Sequence, residues 1–292
     1  MNPLECDALL RNSLTEDAAR HDITSRAVVP RNNRIKTAVI VKESGILAGI
    51  ELAVRVLKLQ DNSLSVRTLR KDGSAIKSGQ AILLVEGNAR SIMAAERTAL
   101  NFLGHLSGIA TLTRQFVHRA KPYPAAILDT RKTLPGLRLL EKYAVRMGGG
   151  KNHRLRLDDA VLIKTNHLRA ISKQQSAISK CIGQAVRQAR RSAPGRFIEI
   201  EVTNLRELQE ALAAQPDAIL LDNWSLADIR RAVRRRSHVS CLLSPVSLLE
   251  ASGGVTLRNV RRIAATGVDR ISIGALTHSA PSLDVALRVV PP

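Results

Sequence analysis

"RFIEIEVTNLRELQEALAAQPDAILLDNW", residues 196–224, decides the fold. A short apolar run stops at an acid, Glu201; a helical segment follows; a second apolar run stops at another acid, Asp222. In the segment between them Leu205, Leu208 and Leu212 fall on one helical face, and Asn204 stands to Glu207 as the two members of a capping box do. Short buried strands alternating with amphipathic helices mean parallel pairing through right-handed crossovers.

The same grammar recurs on both sides. "AAILDTRK" (125–132), "AVLIKTNH" (160–167), "SLLEASGG" (247–254) and "RISIGALTH" (270–278) are short apolar runs that end abruptly in polar residues. The helices between them are lined by Ile178, Ile182, Val186 and Ala189, and by Leu257, Val260 and Ile263, the latter ended by Gly267. Repeated units with such short strands favour an α/β barrel over an open doubly wound sheet, and no G-x-G-x-x-G follows the first strand.

The N-terminal third reads differently. Residues 1 to 20 look helical, with Leu4, Ala8 and Leu14 among polar residues. Residues 35–90 are rich in β-branched side chains and punctuated by glycine, which predicts short antiparallel strands interrupted by a helix near 50–58. Asp72-Gly73 is a hairpin signal. From residue 91 Met93, Leu100, Leu103 and Leu106 share a helix face, while Gly104 and Gly108 predict two helices or a kink. The expected division is an N-terminal domain over 1–110, a barrel over 111–278, and a C-terminal segment, 279–292, packing back on the first.

The chain has 292 residues, 45% of them hydrophobic, enough for cores in two domains. No apolar run approaches the roughly 20 residues of a bilayer span. The polar start lacks the basic and apolar regions of a signal peptide, so a cytoplasmic location is expected. Cys6, Cys181 and Cys241 are far apart and read as buried or incidental thiols. The formal charge of +20 suggests a polyanionic partner, yet 2% aromatic residues argue against single-strand nucleic-acid binding. "RQARR" (187–191) and "RRAVRRR" (230–236) lie in helical patterns and read as solvated faces, which leaves nucleic-acid binding incidental.

In α/β barrels chemistry gathers at the carboxyl ends of the strands. Here those ends supply Arg131 and Lys132, then Lys164, Glu201, Asp222, Ser252, and Gly274 with His278. Converging cations and acids suit an anionic substrate together with a metal-bound phosphate. "ASGGVT" (251–256) and "IGALTHS" (273–279) follow the last two strands, where backbone N–H groups can cradle phosphate. "GGGKNHR" (148–154) adds Lys151, His153 and Arg154 as donors, while Arg138, Lys142 and Arg146 read as surface, subunit-contact or phosphate-steering residues.

Taken together, "ERTALNFLGHLSGIAT" (96–111), "LDTRKTLPGLRLLEKYAVRMGGGKNHR" (128–154), "DAVLIKTNH" (159–167), "IEIEVTNLREL" (198–208), "AILLDNW" (218–224), "LLEASGGVT" (248–256) and "ATGVDRISIGALTHS" (265–279) resemble the quinolinate phosphoribosyltransferase family over nearly the whole chain. The resemblance implies an α/β fold: an N-terminal α/β sandwich domain plus an incomplete (β/α) barrel of the type II phosphoribosyltransferase kind. It also implies transfer of phosphoribosyl from phosphoribosyl pyrophosphate to quinolinate with loss of CO2, Mg2+ as cofactor, and a homodimer with shared active sites. Carried over by position, quinolinate binding falls on Arg97 (from the partner subunit), Thr130, Arg131, Lys132, His153, Arg154 and Lys164. Glu201 and Asp222 become the acids near the ribose and the metal, with Lys132 and Lys164 as their catalytic companions. Ser252, Gly253, Gly254, Ser272, Gly274 and His278 become phosphate-loop positions. Several positions depart from the family pattern: Lys151, where a smaller residue or histidine is common; Thr165, where an acid usually follows the lysine; His21, where a smaller residue is usual; and "CLLSPVSLLEASGG" (241–254), which runs a few residues long and carries Pro245. The competing readings are a paralogous transferase on the same scaffold, such as the pyrophosphorylase-like protein found with molybdenum transport genes, and a basic nucleic-acid-binding protein.

Overall fold

The structure, a computed structural model, describes residues 6–172, 178–240 and 247–290. The sequence reading sets a boundary at 110/111 and returns 279–292 to the first domain; the tertiary contacts also group the chain into two discontinuous units. One unit comprises Met1–Arg114, Thr133–Gly149 and Ala275–Pro292, the other Gln115–Lys132 and Gly150–Gly274.

The first unit begins with helices α1 (Asp7–Glu16) and α2 (Ile23–Val28), separated by a 3-10 turn at Ala19–His21. Leu10 and Leu14 are the buried positions of α1; Ala8 is exposed, and Leu4 lies outside the described residues. Strands β1 (Arg34–Val41), β3 (Ser65–Thr68), β5 (Ala81–Asn88) and β12 (Val285–Val290) form an antiparallel sheet in the order β12-β1-β5-β3. Strands β2 (Gly45–Ile46) and β4 (Ala75–Ile76) pair separately, with helix α3 (Ile50–Gln60) following β2. Val39, Val41, Ile82, Leu83 and Val85 from the sheet and Leu52, Val56 and Leu57 from α3 are buried in this unit's core.

Two expectations change here. Asp72-Gly73 is a turn, with Gly73 at φ +83°, but it joins β3 to β4, which belong to different sheets, so it makes no hairpin. Asp72 instead caps α3: its carboxylate accepts from the N–H of Gly49 (2.9 Å) and Ile50 (3.0 Å), and from the Tyr143 hydroxyl (2.7 Å). The second change is α4, one unbroken helix over Ala89–Ala120. Its buried stripe is Ile92, Ala95, Ala99, Leu103, Leu106 and Ala110, and Met93 is exposed. Gly104 and Gly108 do not break it, because they admit backbone. A Cβ on Gly108 would lie 2.0 Å from the Pro281 carbonyl oxygen, and one on Gly104 2.9 Å from that of Leu283. The Leu283 N–H donates to the Gly104 carbonyl at 2.9 Å.

Helix α5 (Arg138–Met147) also belongs to the first unit. Its Lys142, expected at the surface, is fully buried beside Glu141, which His105 contacts at 3.0 Å. Cys6 is buried and Cys181 half-buried, neither in a disulfide; Cys241 lies outside the described residues.

The second unit is built on six parallel strands: β6 (Ala126–Leu128), β7 (Val161–Ile163), β8 (Ile198–Val202), β9 (Ala218–Asp222), β10 (Leu248–Ser252) and β11 (Arg270–Ser272), in the order β6-β11-β10-β9-β8-β7. A parallel bridge from Leu128 to Lys151 adds a rung beyond β6, the incomplete barrel that was expected. Around it lie α6 (Thr165–Ile171), α7 (Ile178–Ser192), α8 (Leu205–Ala214), α9 (Leu226–Ser240) and α10 (Val260–Ala264). The capping box of α8 forms: Asn204 accepts from the N–H of Arg206 and Glu207, both at 3.0 Å, and Glu207 reaches back to the Thr203 N–H at 2.7 Å. Ile182 and Val186 of α7, Leu208 and Leu212 of α8, and Val260 and Ile263 of α10 are buried; the side chain of Ile178 lies outside the described residues. Gly267, at φ +92°, turns the chain after α10.

The amino ends of these strands are pegged by two aspartates. Asp217 accepts from the Ile198 N–H (2.7 Å) and pairs with Arg190 of α7 (3.1 Å). Asp269 accepts from the Leu249 N–H (2.7 Å) and pairs with Arg236 of α9. Part of the excess positive charge therefore fastens helices to the sheet. No helix among the described residues is long and apolar enough to cross a membrane.

Candidate active site

Register assembles the site at the carboxyl ends of the parallel strands. Ser252 pairs with Asp222 on one side and with Ser272 on the other, and Ser272 pairs with Leu128. Thr130, Arg131 and Lys132 follow β6, Lys164 follows β7, and Glu201 is the fourth residue of β8. Residues far apart in sequence thus share one rim because parallel strands all finish on the same side.

Glu201 and Asp222 form the acidic part. Burial pushes the Asp222 carboxyl above its ordinary value, the charge of Glu201 pushes it further, and Lys164 and Lys132 oppose the shift. These four groups therefore act on one another. Glu201 is held by Thr165, whose N–H (3.1 Å) and hydroxyl (2.6 Å) both donate to Oε1. The threonine that stands where the family usually has an acid is thus a donor to the neighbouring carboxylate. Two adjacent carboxylates whose mutual repulsion raises one of them fit a hard divalent cation such as Mg2+, which takes oxygen ligands.

Arg131 and Arg154 form the cationic part. Burial lowers the Arg154 pKa first, and the nearby charge of Arg131 lowers it further. The Arg154 Nη1 donates to the Ala160 carbonyl (3.0 Å), while its Nε is buried with no hydrogen-bond partner in the protein. Lys132 and Lys164 are exposed; the Lys132 N–H donates to the Thr130 hydroxyl at 3.1 Å. Lys151 is exposed, and its backbone makes the rung with Leu128.

The phosphate-loop positions are backbone features. Gly253 (φ +92°) and Gly254 (φ +59°) are left-handed, and a Cβ on Gly253 would lie 2.1 Å from Asn223 Oδ1. Only glycine lets the loop after β10 lie against the end of β9, where the Asn223 N–H donates to the Ser252 carbonyl at 2.9 Å. Arg97 and His278 fall in the first unit. Arg97 is exposed on α4, beside a cavity of about 360 Å³ that Asp17 and His105 also line. His278 is exposed at the end of α11 (Ala275–His278), 2.6 Å from the Ser279 hydroxyl.

Sequence reading missed an ionic layer beneath the rim. Glu199, Glu250 and Asp129 are buried, 1%, 0% and 0% exposed. His153 Nε2 lies 2.8 Å from Glu199 and 3.5 Å from Glu250. Arg270 Nε is 2.9 Å from Glu250, a close ion pair without hydrogen-bond alignment. Burial pushes the Glu250 carboxyl up to about 7, with Glu199 adding to the shift and His153 and Arg270 opposing it. Asp129 accepts from the His153 N–H (2.9 Å) and from the Asn152 side chain. A signal existed: Glu199 stands two residues before Glu201 and Glu250 two before Ser252, on the same strand faces.

The chain's likeness to known proteins runs its full length. Residues 109–288 match the quinolinate phosphoribosyl transferase C-terminal domain and residues 22–107 its N-terminal domain. The nicotinate-nucleotide pyrophosphorylase [carboxylating] of Mycobacterium leprae (strain TN) is 43% identical over 281 residues, 95% of each chain. A probable nicotinate-nucleotide pyrophosphorylase [carboxylating] of Synechocystis sp. is 40% identical over 285 residues, 97% of this chain and 92% of its own. The solved structure of the nicotinate-nucleotide pyrophosphorylase from Francisella tularensis superposes with a TM-score of 0.90 at 39% identity, covering 99% of this chain and 98% of that one. With both halves matched in order and the strand-end residues in place, the chain belongs to the quinolinate phosphoribosyltransferase family.

Proposed function

We propose that the chain transfers the phosphoribosyl group of phosphoribosyl pyrophosphate to quinolinate, with loss of CO2, giving nicotinate mononucleotide and pyrophosphate. The observation that carries this is the guanidinium pair Arg131 and Arg154: like charges held close enough to perturb each other, one with a buried donor to spare. Such a pair suits a ligand with two carboxylates.

In this reading the two arginines, with Lys164, grip the carboxylates and aim the ring nitrogen at the anomeric carbon, turning binding energy into alignment. The nitrogen–carbon bond forms as the bond from that carbon to the pyrophosphate oxygen breaks, and the ribose passes through oxocarbenium character. Glu201 and Asp222 face that positive charge, and Lys132 and Lys164 offset the negative charge growing on the leaving group. The quaternised nitrogen then draws electrons, the adjacent carboxylate leaves as CO2, and the pair left on the ring carbon takes a proton from water. Glu201 and Asp222, together with the substrate, would hold Mg2+, which would supply further charge neutralisation at the pyrophosphate. Backbone N–H groups after Ser252 serve the phosphates. The exposed position of Arg97 supports its donation to a second copy in a homodimer.

The test is direct. Purified protein with quinolinate, phosphoribosyl pyrophosphate and Mg2+ releases CO2 in proportion to quinolinate consumed. Turnover of nicotinate without CO2 release would assign the chain to a paralogous activity instead.

A further inference from the structure

We infer that His153 acts as a positioning residue for Arg154, holding the arginine's backbone from within the barrel, and does not itself grip the substrate. The inference rests on the dicarboxylate reading above.

Hydrogen-bond roles carry it. The Arg154 backbone N–H lies 2.8 Å from His153 Nδ1, and an amide N–H can only donate. Nδ1 is therefore an acceptor and carries no proton. The ring proton then sits on Nε2, which donates to Glu199 at 2.8 Å with Glu250 behind it at 3.5 Å. The His153 backbone is tied in turn, its N–H donating to Asp129 at 2.9 Å. Both ring nitrogens are thus engaged by protein, and a carboxylate, which needs a donor, meets neither.

The arrangement also explains why acids are buried beneath a cationic rim. Glu199 of β8 and Glu250 of β10 flank β9, and their oxygens and the His153 nitrogen lie within 4.8 Å of one another. Glu199 fixes the tautomer, and the tautomer fixes the acceptor for Arg154. Arg270 supplies the counter-charge to Glu250. The loop carrying Arg154 is therefore anchored to three strands, through Asp129 after β6, Glu199 on β8 and Glu250 on β10.

Two substitutions separate the roles. The Oδ1 of asparagine can stand where Nδ1 does, and the Nε2 of glutamine where the histidine Nε2 does. His153→Asn keeps the acceptor for Arg154 and leaves Glu199 without its donor: its KM for quinolinate stays within about threefold of wild type while its melting temperature falls. His153→Gln keeps the donor to Glu199 and removes the acceptor: its KM for quinolinate rises about tenfold, with the KM for phosphoribosyl pyrophosphate and the melting temperature near wild type. The reverse order overturns the inference, as does equal loss or equal retention in both variants. Should either variant fold poorly, imidazole 15N spectra of the wild-type protein decide. Nδ1 stays unprotonated on adding quinolinate if the inference holds, and gains a proton if the ring binds the substrate. Wild-type protein that releases no CO2 from quinolinate sinks the functional reading; wild-type turnover with the wrong variant order sinks this inference alone.

Discussion

The two ends of the parallel sheet treat positive charge in opposite ways. At the amino ends each key arginine meets a dedicated aspartate: Arg190 with Asp217 and Arg236 with Asp269, each acid also holding a strand N–H. At the carboxyl ends Lys132 and Lys164 are exposed and bear on Asp222, and Arg154 is set near Arg131 with Glu199 and Asp159 as opposing charges. The residue types are the same. What differs is how the acids are used: at the amino ends each closes an ion pair with one arginine, and at the carboxyl ends cations and acids share a rim on which each bears on several others.

The largest expected effect breaks the carboxyl end. Arg131→Ala lowers kcat/KM for quinolinate by about a thousandfold, because it removes one half of the clamp, and it leaves the melting temperature close to wild type. Steady-state kinetics beside a thermal melt check both halves; a variant within tenfold of wild type contradicts the clamp. The amino end should respond in the opposite way. Asp269→Ala removes the acceptor for Leu249 and the partner of Arg236, and costs about 2 kcal/mol of unfolding free energy with kcat/KM unchanged. Urea denaturation measures the first, and the CO2 assay the second. The smallest effect sharpens the rim itself. Thr165→Val leaves Glu201 with the backbone donor alone and lowers kcat about fivefold, and Thr165→Ser restores most of it. If serine and valine behave alike, the hydroxyl contact at 2.6 Å is not what orients Glu201.

Much of this was legible because parallel strands announce themselves. The runs at 198–202 and 218–222 became strands, the Asn204–Glu207 cap formed, and the rim residues could be read as the first polar residue after each run. What stayed hidden depends on partners distant in sequence. Gly104 and Gly108 read as a kink because the backbone they admit, at Pro281 and Leu283, comes from the other end of the chain. Asp72-Gly73 read as a hairpin because turn chemistry does not reveal which sheet each strand joins. Lys142 read as surface because burial of a charge is set by its surroundings. Glu199 and Glu250 lay inside apolar runs, and only their inward strand faces connect them to His153.

The sheet of the first unit has a consequence for how the chain is made. Strand β1, at residues 34–41, takes β12, at residues 285–290, as its outer neighbour, and α4 receives Pro281 and Leu283 at its glycines. On the ribosome the part that emerges first is therefore completed last. The parallel strands between residues 126 and 272 are all available while β1 still presents an open edge. That edge, carrying Val39 and Val41, is the surface on which a nascent chain most needs protection from other strands until β12 is released.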